Sequence, residues 1–127
     1  EMRDISAGQA FRLREVFAMS SREEVFVRIL LREKRNLWIF RCHQQGFSGD
    51  FVIVDMSHPQ PQRRSAVVVE LKARALLKLG SGGLQLKNAP VAVAELIERG
   101  VLTEHSEVTI ATGDKDAVLE YLGFTAV

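Results

Sequence analysis

Two apolar, β-branched runs constrain this chain most: DFVIVDM at 50–56 and SAVVVELKA at 65–73, separated by SHPQPQRR. Both read as strands, and the intervening prolines require a turn or loop. So short a connection makes them an antiparallel hairpin. The second run is apolar at alternate and at intervening positions, so it is expected to lie centrally in a sheet with both faces covered. A strand of that kind is a poor place for charge, yet it ends in Glu70 and Lys72. These two project to one side while Leu71 points to the other. Buried without partners they would be costly, so they either neutralise one another or serve chemistry.

The rest of the chain supplies elements to cover such a strand. Ser6-Ala-Gly-Gln9 has the form of a capping box, and Phe11, Arg14, Glu15 and Ala18 follow at helical spacing, predicting a helix over 7–19. VFVRILL at 25–31 is rich in β-branched and aromatic residues and reads as a strand, with a helix as the competing assignment. LWIFRC at 37–42 is a further strand, and GFSG at 46–49 a loop. LLKLGSGGLQLKNAP reads as a glycine-containing loop. VAVAELIERG at 91–100 is a helix stopped by Gly100, EVTIAT at 107–112 a short strand, and Asp114 starts a last helix stopped by Gly123. The expected fold is α/β (α+β): helix, three or four antiparallel strands, helix, strand and C-terminal helix, in one domain over residues 1–127.

Composition excludes several classes. With 46% apolar and 26% charged residues and a net charge of +1, the chain has the make-up of a globular domain. No apolar stretch approaches the roughly 20 residues needed to span a bilayer, no signal peptide is visible, and the default expectation is a cytoplasmic protein that does not engage a membrane. A lone cysteine, Cys42, excludes an internal disulfide and reads as a small core residue. His43, His58 and His105 have no metal-ligand spacing and are expected on the surface. LGSGGLQLK lacks both the Gly-Lys-Ser/Thr ending of a phosphate-binding loop and the dinucleotide fingerprint. Charge is unevenly placed: residues 56–94 carry six Lys or Arg against Glu70 alone, whereas residues 95–127 carry seven acids against Arg99 and Lys115. A polyanion would meet the middle, where Arg63, Arg64, Arg74, Lys78 and Lys87 are candidates for contacting nucleic-acid phosphates. Taken singly, each is equally an ordinary solvated side chain.

The hairpin narrows the chemistry. If Met56 faces Ala66, paired positions sum to 122, Asp50 lies opposite Lys72 and Val52 opposite Glu70. Asp55 would face Val67, remote from the pair and on the other side of the sheet. Asp50, Glu70 and Lys72 then form one cluster. Two neighbouring carboxylates stay ionised most easily around a divalent cation. Magnesium suits hard oxygen ligands of this kind, and a lysine beside it can orient water or stabilise charge on a phosphate.

Gly49-Asp50-Phe51-Val52-Ile53 followed by Glu70-Leu71-Lys72 at the end of an apolar strand resembles the PD-(D/E)XK nuclease superfamily, whose core order is helix, three strands, helix, strand. The resemblance covers about residues 7–112. It implies a restriction-endonuclease-like fold and phosphodiester hydrolysis of nucleic acid, with DNA the expected substrate rather than RNA. It further implies Mg2+ or Mn2+ held by Asp50 and Glu70 with the Leu71 carbonyl, and Lys72 assisting the attacking water. A glutamate on the first helix completes the site in some members, for which Glu15 is the candidate. A glutamine on the second helix recurs in others, which Gln85 would match. Gly49 stands where the family has proline, a strand at 25–31 would add to its core, and little length remains for a target-recognition domain. The alternative is a nuclease-like fold that has lost catalysis and binds protein or nucleic acid. Either form is compatible with a homodimer or a larger protein partner.

Overall fold

The computed structural model describes residues 2–4, 9–11, 21–32, 36–41, 51–81 and 91–124. Strands β1 (Met2–Asp4) and β2 (Gln9–Phe11) precede helix α1 (Ser21–Arg32), which is followed by β3 (Leu37–Arg41), β4 (Phe51–Asp55) and β5 (Ser65–Leu71). Strand β6 (Lys78–Ser81), helix α2 (Val91–Glu98), strand β7 (Glu107–Gly113) and helix α3 (Lys115–Tyr121) complete the described elements. The strands form one mixed sheet in the order β2-β1-β3-β4-β5-β7-β6. Its centre is β3-β4-β5 in antiparallel succession, with β7 parallel to β5 on the far side.

Helices cover both faces, and alternation along β5 sorts the core into two layers. Val69 and Leu71 pack with Phe26, Val27 and Leu30 of α1 and Val118 and Leu119 of α3. Ala66 and Val68 pack with Phe40, Val52 and Val54 and, from α2, Val93 and Leu96. β5 is therefore an interior strand covered on both sides, as its unbroken apolar run predicts. α2 ends where expected: Gly100 takes φ +76°, a left-handed conformation that costs a residue without Cβ little, and the Val101 N–H reaches back to the Leu96 carbonyl at 3.0 Å. α3 starts on Asp114, whose side chain accepts the Ala117 N–H at 2.8 Å, and Gly123 follows its end at φ +84°. Among the described residues no helix is long and apolar enough to cross a membrane.

Four expectations are corrected. VFVRILL lies within helix α1, because Phe26, Val27 and Leu30 share one helical face and are all buried. Gln9–Phe11 is a strand pairing with β1, not part of a helix over 7–19. The remaining residues of that span, 7–8 and 12–19, lie outside the described residues. The glycine-containing loop includes β6, an edge strand antiparallel to β7. Finally, the β4–β5 partners sum to 120, not 122: Val54 faces Ala66 and Phe51 faces Val69. Met56 instead joins the β3 side, its N–H donating to the Asn36 carbonyl at 2.8 Å while Asn36 Nδ2 donates to the Met56 carbonyl at 3.0 Å. The turn of 3₁₀-helix at Pro61–Arg63 lengthens the connection accordingly.

Candidate functional site at the carboxyl end of strand β5

β5 and β7 are parallel neighbours and end together, Leu71 beside Gly113. Ligands in open α/β sheets bind at the carboxyl ends of parallel strands, where loops diverge and backbone groups are left for other partners. Glu70 stands one residue from that end. By alternation it shares the α2 side of the sheet with Ala66 and Val68, but among the described residues no buried apolar side chain of that layer extends to its level. Lys72 follows immediately, its N–H held by the Gly113 carbonyl at 2.8 Å. Its Nζ sits 3.0 Å from Glu70 Oε1, with the two side chains 53% and 33% exposed. The pair is therefore a water-accessible one at the rim of a buried strand.

The sheet register adds neighbours that the linear motif leaves out. Glu70 is opposite Thr112 of β7, and Thr112 is opposite Lys78 of β6. Directly opposed residues lie on one face, so Glu70, Thr112 and Lys78 form a polar row across three strands. Thr112 went unnoticed in the sequence because parallel pairing between segments about forty residues apart leaves no local signal.

Of the other candidates, Asp50, Glu15, Gln85 and Lys87 lie outside the described residues. Arg63 and Arg64 precede β5 and so stand at its opposite end, roughly 20 Å from Glu70 at the rise of an extended strand. Arg64 serves the fold: its guanidinium donates to the carbonyls of His58 at 2.9 Å and Val101 at 3.1 Å. Ser106, fully buried, reinforces the same junction by donating to the Pro61 carbonyl at 2.8 Å. Among the described residues, the basic tract that looks continuous in sequence is thus split between two ends of the sheet, with Lys72, Arg74 and Lys78 at the Glu70 end.

Asp55 lies apart, as expected, on the α1 and α3 side with Phe51 and Ile53 and near the start of β5. Burial pushes its carboxyl upward, but bonds from the Ser57 hydroxyl and N–H, aided by His58, outweigh this and hold it below the ordinary value of 3.8. The Ser57 N–H reaches Asp55 Oδ1 at 2.9 Å. A depressed carboxyl stabilises the fold above the unfolded-state value and loses that contribution as pH falls through its own lower one. Asp55→Asn should therefore melt below the parent at pH 7, with the difference closing as pH falls from about 5 to below 3. A pH-independent difference, measured by thermal melts across that range, would dismiss the Ser57 bonds as the cause.

Among the described residues no three His, Cys, Asp or Glu side chains gather in a way that would hold a metal ion. The donors that are described at the site, the Glu70 carboxylate and the Leu71 carbonyl, are hard oxygens of the type Mg2+ and Mn2+ take alongside water. Comparisons with family models, with curated proteins and with solved structures gave no match.

Proposed function

We propose that the chain is a metal-dependent nuclease domain that hydrolyses a phosphodiester of nucleic acid, DNA in preference to RNA, at the Glu70–Lys72 end of β5. The observation that carries this reading is the acid–amine pair, 3.0 Å apart and open to water, at the end of a strand covered on both faces. A pair meant only to neutralise itself has no need of that location. The order α1, β3, β4, β5, α2, β7, with β7 parallel to β5, supports a restriction-endonuclease-like core.

In this reading Glu70, Asp50 and the Leu71 carbonyl would hold Mg2+ or Mn2+, which when bound supplies Lewis-acid stabilisation to the phosphate oxygens. Lys72, beside Glu70, would donate a hydrogen bond to the attacking water or to a phosphoryl oxygen. Thr112 lies opposite Glu70 and Lys78 opposite Thr112. That row adds a hydroxyl and a second cation on the face of the carboxylate, and the cation would attract the strand.

The purified chain incubated with plasmid, single-stranded DNA and RNA should cut at least one in Mg2+ or Mn2+ and none in EDTA. Asp50→Asn should remove that cleavage, whereas Asp55→Asn should leave it near the parent's rate. If no substrate is cut with either metal, the catalytic reading falls and a nuclease-like binding module takes its place.

A further inference from the structure

Beside Glu70, on the α1 and α3 side, the structure forms a second feature: a hollow of about 320 Å3 lined by Arg22, Lys72, Arg74, Asp114, Lys115 and Asp116. Four cations meet two carboxylates there. Both carboxylates already have partners. Asp114 caps α3 through the Ala117 N–H, and Asp116 pairs with Lys115 at 2.9 Å. Lys72 is shared with Glu70. Arg22, from α1, and Arg74, from the turn after β5, make no ion pair with any described residue, so two guanidinium forks remain on one concave surface.

The turn that presents Arg74 is held in an unfavourable conformation. Arg74 has φ +55°, the one non-glycine residue among those described with a left-handed backbone. A Cβ makes that region costly, and such strain persists where surrounding contacts enforce it. They do so here. The Lys72 N–H bonds the Gly113 carbonyl on one side of Arg74, and the Asp114 N–H bonds the Ala75 carbonyl at 3.1 Å on the other. Gly113 lies so close beneath that a Cβ on it would come within 3.2 Å of Leu77 Cα. The chain thus keeps arginine where glycine would relax the backbone, and clamps it beside a second arginine that has no ion pair among the described residues.

We propose that this hollow binds a phosphate of the nucleic-acid strand adjacent to the one at Glu70, with Arg22 and Arg74 as its forked donors and Lys72 between the two positions. Guanidinium groups suit the task because their planar forks match phosphate oxygens. The strand then crosses the carboxyl end of β5 from the α2 side to the α1 side. This inference rests on reading the Glu70 end as a nucleic-acid site.

The test is anisotropy of a short labelled single-stranded oligodeoxynucleotide in EDTA, where no cleavage occurs, over a series of salt concentrations. Arg22→Gln and Arg74→Gly should each weaken binding about tenfold and lower the dependence of log affinity on log salt by about 1. Arg63→Gln, at the far end of β5, should do neither. Arg74→Gly should melt at or above the parent's temperature, because glycine relieves the left-handed backbone. Inorganic pyrophosphate should compete with the strand in the parent and less well in the two variants. Parent-like binding in both variants, an equal loss in Arg63→Gln, or no binding by the parent would each overturn the proposal. A parent that binds through these arginines but cuts nothing would refute hydrolysis and leave the hollow as assigned. A parent that cuts, with variants that bind normally, would do the reverse.

Discussion

Lys72→Ala is expected to lower metal-dependent cleavage by about three orders of magnitude while shifting the melting temperature by at most a few degrees. The two effects separate because the Lys72–Glu70 pair is half in water, 53% and 33% exposed. Exposed ion pairs contribute about 0–1 kcal/mol, far below what removing one partner of a buried pair costs. Strand β5 is anchored by Val68, Val69 and Leu71, none of which the substitution touches. Positioning a proton donor at a developing phosphoryl charge has no such redundancy. Glu70→Gln should behave alike, keeping the fold and losing turnover. A fall of ten degrees or more in either variant, from a parent without measurable cleavage, would reduce the pair to a bond that fixes the end of a sheet.

Phe26→Ala should be the most damaging single truncation for the fold, costing about 3–5 kcal/mol against a total of about 5–15 kcal/mol. Phe26 is fully buried and stacks on Phe51 of β4 with ring centroids 5.9 Å apart, so it joins α1 to the sheet. Val27→Ala should also destabilise, since Val27 is equally buried, whereas Val25, 42% exposed, should tolerate alanine. Urea denaturation of the three variants reads out the geometry of the segment. In a strand, residues 25 and 27 would share a face and respond alike. Sensitivity at 26 and 27 with tolerance at 25 is the signature of a helix turning Phe26, Val27 and Leu30 inward.

That segment also illustrates what a sequence conceals. VFVRILL has strand composition, and composition lost to burial geometry, because positions 26, 27 and 30 fit a helical face against Val69 and Leu71. The hairpin that carries Glu70 and Lys72 was legible, as were the interior position of β5 and the termini of α2 and α3. Each depends on local rules: alternation, proline in the turn, glycine at a left-handed stop, aspartate at a cap. Long-range pairing was not. β6 is a short edge strand with little apolar character, and the opposition of Thr112 to Glu70 arises only when β7 docks beside β5. The hairpin register differs by two residues from the expected one, and the connection contains a 3₁₀ turn, Pro61–Arg63, that its prolines alone do not announce. An even slip preserves sidedness, so the separation of Asp55 from Glu70 survived the error.

The parallel partnership of β5 and β7 has a consequence for biosynthesis. Ser65 faces Glu107, so about forty further residues must be added before SAVVVEL gains its second neighbour. At ordinary translation rates that interval is on the order of seconds. Throughout it, a largely apolar strand offers an open edge, the kind of surface that templates association with other chains. A message truncated before the codon for Glu107 would therefore encode a product prone to inclusion bodies, and slowing translation within residues 72–106 should raise demand for chaperones.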